Sequence, residues 1–135
     1  MMTPESVHAL AVQGLAWARQ VADRPQLGFD AEAVAWIDDF VRQQRLLGIE
    51  QAKVTEYTVC LGSILGECVM AGYGGKWQRY GTEWMVDFGA GHHQRPYFAV
   101  LQQFEAPAAP RVLDWYHAIA TAPGARRKSW WRVWG

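Results

Sequence analysis

At Gly72-Tyr73-Gly74-Gly75 the hydrophobic period of this chain changes, and that change restricts the fold more than any other feature. Before it, between Lys53 and Ala71, Val54, Leu61, Ile64, Leu65, Cys68 and Val69 recur at helical spacing. After it, Trp77 and Arg79, then Trp84, Val86 and Phe88, alternate with Gln78, Tyr80, Met85 and Asp87. That is the period of two expected of half-buried strands. Helices grouped apart from strands predict an α+β fold. A parallel nucleotide-binding sheet would need strands and helices in alternation.

The neighbouring segments fit the same plan. Thr3 and Pro4 are a cap and a first helical residue, so a helix is expected over 4–22, ended by Asp23-Arg24-Pro25. Asp30 is the natural cap of a second helix over 31–47, with Phe29 and Val34 at the two positions of a hydrophobic staple and Gly48 as its stop. On that helix Asp38 falls outside the apolar stripe and is expected to pair with Arg42 at i,i+4. The third helix, about 53–71, carries Gly62 and Gly66, each costing about 1 kcal/mol of propensity relative to alanine. Such a cost predicts a central helix whose glycines are pressed against a neighbour, usually another backbone.

A hairpin over 76–80 and 83–88 turns at Gly81-Thr82, and its even-length loop puts Trp77 on the face of Trp84, Val86 and Phe88. A short strand over 92–95 follows. Pro96 then opens a helix to Glu105, Ala106 to Pro110 connects, and a last helix spans 111–121. The expected architecture is three N-terminal helices, a small antiparallel meander and two short C-terminal helices. It forms one domain over 1–125 with a basic, tryptophan-rich tail over 126–135.

Composition narrows the class. The 135 residues match one domain, and 50% hydrophobic with 19% charged residues excludes a disordered chain. No uninterrupted apolar run reaches the roughly 18 residues of a membrane span. The N-terminal residues, with Glu5 and His8, do not resemble a secretory signal, so a cytoplasmic protein is expected. Cys60 and Cys68 stand about 12 Å apart along a helix, beyond the ~7 Å reach of a disulfide, and are expected as reduced thiols. Four of the 13 basic residues fall in the last ten positions, which hold no acid. Nine are left against 13 acids in residues 1–125, a body near −4 beside a tail of +4.

Each candidate for chemistry has a plainer explanation. Gly72 to Lys76 follows a helix and enters a strand, the reverse of a phosphate loop, and lacks the Gly-Lys-Ser/Thr ending. It reads as a helix stop and a turn. Cys60, Cys68, His92 and His93 lack the paired spacing of a zinc site, and adjacent histidines on a strand point to opposite sides. No Gly-x-Ser-x-Gly elbow supports a nucleophile. Glu67, beside the apolar stripe of the third helix, needs a partner if buried. Arg79, Arg95, Tyr73 or the Trp77 indole are the candidates, and the expected role is to tie helix to hairpin. Trp130, Trp131 and Trp134 with four cations make a tail suited to docking on the domain or meeting a partner. Four charges on an acidic body argue against nucleic acid or membrane. No catalytic residue, metal or cofactor is therefore expected.

Two stretches carry a likeness: Leu61-Gly-Ser-Ile-Leu-Gly-Glu67 and Tyr73-Gly-Gly-Lys-Trp77. The chain resembles small bacterial proteins of unknown function that share an LGxxLGE helix and a YGGxW turn. They also share a tryptophan-bearing second strand, here Trp84 to Phe88, and a proline opening a V-x-x-x-F helix, here Pro96 to Phe104. An upstream helix like Val34 to Phe40 completes the set, and the likeness spans about residues 30 to 120. It implies the fold. Similar small α+β domains occur among immunity proteins encoded beside bacterial toxins. That analogy implies a non-enzymatic protein that neutralises a toxin or effector domain by direct binding, with Glu83, His92, His93, Arg95 and the tail tryptophans as its contacts. The alternative expectation is a small enzyme or ligand-binding domain with a pocket around Glu67, Tyr73, Trp77, Trp84 and Arg95. A third is a homo-oligomer held through the tail.

Overall fold

A computed structural model describes residues 2–106 and 108–126. Its elements, among the described residues, are α1 (Pro4–Ala22), α2 (Ala31–Leu46), α3 (Gln51–Tyr73), β1 (Lys76–Tyr80), β2 (Glu83–Gly89), β3 (His92–Gln94), α4 (Pro96–Glu105) and α5 (Val112–Ala118), the last running into a 3₁₀ turn over Ile119–Thr121. The class is α+β, with helices before and after a three-stranded antiparallel sheet. The caps are those that the sequence supplies. Thr3 accepts from the Ser6 amide at 3.1 Å, and Asp30 Oδ1 accepts from the Ala33 amide at 3.2 Å.

The third helix is the axis of the molecule. Leu61, Ile64, Leu65, Cys68 and Val69 are all buried, and α1, α2, α4 and the sheet close around them. This helix is long and apolar enough to cross a membrane by length and composition, at a mean hydropathy of 1.2, because averaging passes over the glycines and Glu67 that interrupt its apolar runs. Here it is the core helix. Its glycines meet aromatic rings, not the expected backbone. A Cβ on Gly66 would lie 2.0 Å from the Trp77 ring, and one on Gly62 would lie 2.3 Å from the Tyr97 ring. Only a bare backbone lets β1 and α4 seat their largest side chains this close.

Gly74 and Gly75, both at φ 89°, turn the chain from α3 into β1. The register pairs Trp77 with Val86 and Arg79 with Trp84, so the even-loop expectation holds and these side chains share one face. Val86 is fully buried there. β3 pairs Gln94 with Val86 and His93 with Asp87, and an irregularity between Asp87 and Gly89 inserts Phe88 as an extra residue. The described chain ends where the Arg126 amide donates to the Tyr73 carbonyl at 2.7 Å, beside the glycine turn.

One expectation is overturned. Asp38 does not pair with Arg42 on the surface. It is 0% exposed, and Arg111 grips it with Nε at 2.9 Å and Nη2 at 2.8 Å from Oδ1. Oδ2 accepts from the Leu113 amide at 3.0 Å, and the Gln103 side-chain amide donates to the Asp38 carbonyl at 3.0 Å. Gln103 in turn accepts from the Val112 amide at 2.6 Å. Arg42 instead faces Asp39 at 3.7 Å. Asp38 lies at the edge of the helix stripe, where α4 and α5 cover it. A buried carboxylate is tolerated there because each oxygen meets a donor.

Candidate functional site

Three of the sequence-selected residues, Glu83, His93 and Arg95, are brought together through Tyr80 at one end of the hairpin, whereas His92 pairs with Gly89 at the opposite end of β2. Glu83 opens β2 opposite Tyr80, and Arg95 is the residue before α4. Arg95 donates to Glu83 through Nη2 at 2.9 Å to Oε1 and through Nε at 3.0 Å to Oε2, a two-pronged carboxylate contact. The same guanidinium lies 4.0 Å from the centre of the Phe98 ring, so one face of the cation is stacked while its edge is bonded. His92 and His93 are exposed on β3, and the His93 ring packs on Tyr80 at 4.9 Å. The result is an open patch of charge and aromatic edges whose side chains already hold one another in place.

Next to this patch runs a groove of about 300 Å³. Met2, Val59, Trp84 and Tyr97 form its apolar walls, Thr82 and Glu83 stand at its rim, and Thr58 contributes to its lining. The Tyr97 hydroxyl is spoken for. Ser63 Oγ donates to the Val59 carbonyl at 2.7 Å, so its contact of 2.6 Å with Tyr97 is one in which the phenol donates. Burial raises the Tyr97 pKa above its ordinary value.

The second sequence-selected group is arranged differently. Glu67 is a tie within the fold, with its side chain 12% exposed. Trp77 Nε1 donates to Oε2 at 2.7 Å, and His8 Nδ1 lies 2.9 Å from Oε1. The indole was among the expected partners. His8 was missed, because nothing local in the sequence links the second turn of α1 to the fifth turn of α3. Tyr73 packs its ring on Tyr116 at 5.2 Å, and Arg95 belongs to the hairpin patch. The expected grouping is therefore divided, with Glu67 on Trp77, Tyr73 on Tyr116, Trp84 in the groove wall and Arg95 on Glu83. Trp130, Trp131 and Trp134 lie outside the described residues.

Both cysteines are free thiols. Burial, helped by Glu56, pushes Cys60 up to about 11, and burial raises Cys68 further. At pH 8 the Cys60 thiolate fraction is then roughly a hundredfold below that of a free cysteine. Iodoacetamide labelling of the folded protein at pH 8 is expected to be slower by about that factor, and labelling at the rate of free cysteine disproves the burial of these groups. Among the described residues no cluster of three or more histidine, cysteine, aspartate or glutamate side chains is placed to hold a metal.

The described surface thus has a patterned hairpin end and an adjoining groove. Comparison with protein-family models, with curated proteins and with solved structures finds no match to this chain.

Proposed function

We propose that this protein is a cytoplasmic, non-enzymatic binding protein that neutralises a bacterial toxin or effector domain by direct contact, as an immunity protein does. The observation that carries the reading is the Glu83–Arg95 pair stacked on Phe98, with the exposed His93 ring on Tyr80 next to it. Arginine and aromatic side chains held in fixed rotamers are the residues that dominate protein interfaces, because little conformational entropy is left to lose on binding. Charged groups at such a rim steer the encounter and fix the partner's orientation. The rival reading, a ligand pocket around Glu67 and Trp77, places its entrance where the Trp77 ring covers Gly66, and both Glu67 oxygens are engaged.

The test is capture of a stoichiometric partner from the source cell, followed by Arg95→Ala. Arg95 is half exposed, so its loss should change stability by no more than about 1 kcal/mol. Its loss should weaken partner binding at least tenfold, about 1.4 kcal/mol. Failure to capture any partner, or an R95A variant that binds as the native chain does, overturns the proposal.

A further inference from the structure

Thr58 is 9% exposed, its Oγ1 is shielded from solvent, and that oxygen has no hydrogen-bond partner. A helical threonine ordinarily returns its hydroxyl to the carbonyl one turn earlier. Ser63, five positions on, does this with Val59. Thr58 does not, although valine would fill the same volume without leaving a polar atom unpaired. Among the described residues it is the one buried side-chain oxygen or nitrogen without a partner, and it belongs to the lining of the groove beside the hairpin patch.

We propose that this groove is the socket for one tryptophan or tyrosine side chain of the partner, whose N–H or O–H is accepted by Thr58 Oγ1. The assignment rests on the partner-binding reading above. Size argues for a single large side chain, since about 300 Å³ is at the lower end of ligand pockets. The walls argue for an aromatic one, with the Trp84 and Tyr97 rings available for edge or offset contact. Hydrogen bonding argues for a donor. The Glu83 oxygens are taken by Arg95 and the Tyr97 hydrogen is committed to Ser63, so the unpaired Thr58 Oγ1 is the acceptor left in the lining. Met2, with an unbranched side chain, is the wall residue free to swing aside and admit the ring to the hydroxyl.

The experiment is an NMR titration of the full chain with indole, with its isostere indene, which lacks the N–H, and with the capped peptide Ac-Gly-Trp-Gly-NH₂. Indole should shift the Thr58, Val59 and Trp84 signals and bind about fivefold more tightly than indene. The peptide should bind at least as tightly as indole. In Thr58→Val the preference for indole should vanish while the melting temperature rises by about 3 °C, since the unpaired hydroxyl is gone. Val59→Trp, at an exposed position, should fill the groove and abolish all three titrations. Equal binding of indole and indene, shifts elsewhere, or a preference that survives T58V overturns the proposal. So does binding of indole with exclusion of the peptide, which would make the groove a small-molecule site. Self-association that V59W abolishes would put a second copy there instead and overturn it too. None of these titrations needs the partner, so their failure leaves the partner-binding reading standing. A failed capture leaves the titrations intact.

Discussion

Asp38→Ala is expected to remove about 4 kcal/mol of stability, because it takes the centre out of a buried charge network. Arg111 would lose its two-pronged contact, the Leu113 amide would lose its acceptor, and a small void would open among α2, α4 and α5. Urea denaturation should show the midpoint fall with an unchanged slope, the sign of a native-state effect. Asp39→Ala is the control. Its carboxylate is largely exposed and 3.7 Å from Arg111, so the loss should stay below about 1 kcal/mol. Near-native stability of D38A would mean that the carboxylate is not enclosed as described.

Gly66→Ala should be the most damaging of the glycine-to-alanine changes among the described residues. The added carbon would meet Trp77 Cη2 at 2.0 Å, and Trp77 is held by its bond to Glu67. Helix propensity favours alanine by about 1 kcal/mol, but overpacking a fixed ring costs about 3 kcal/mol or more, so the net loss is about 2 kcal/mol. The cause is separable by a cycle. Trp77→Leu alone should cost about 3 kcal/mol through the space it leaves. Combined with G66A it should cost less than the sum, because the methyl then occupies part of that space. Strict additivity would show that ring and glycine do not touch.

Elements were legible where their signal is local. The period switch at Gly72, the Asp30 cap and Pro96 each act within one turn, and they fix α2, α3, the hairpin and α4 within a few residues of the structure. The Trp77 face followed from loop parity alone. What escaped were pairings between distant segments. Asp38 reads as a surface residue with Arg42 one turn away, yet its partner is 73 residues on. The period of helix α2 gives no hint that α5 will cover that edge. The Gly62 and Gly66 spacing announced a close approach but could not say that rings, not a backbone, make it. Of the candidate site, the hairpin residues were recognisable by type. The groove was not, because Thr58 and Val59 on α3, Trp84 on β2 and Tyr97 on α4 become neighbours only when the helix and sheet are assembled.

The carboxylate of Asp38 also sets an order of events. During synthesis α2 emerges early, while its counter-charge and the Leu113 amide follow 73 and 75 residues later. Until then the nascent helix carries a naked anion on the surface that α4 must cover. Closing α4 over Asp38 without α5 carries the cost of an unpaired buried carboxylate, and Arg111 with the Leu113 amide removes that cost. A chain cut before residue 111 keeps every described strand and α1 to α4, but has no cation or amide from α5 to meet the carboxylate they cover.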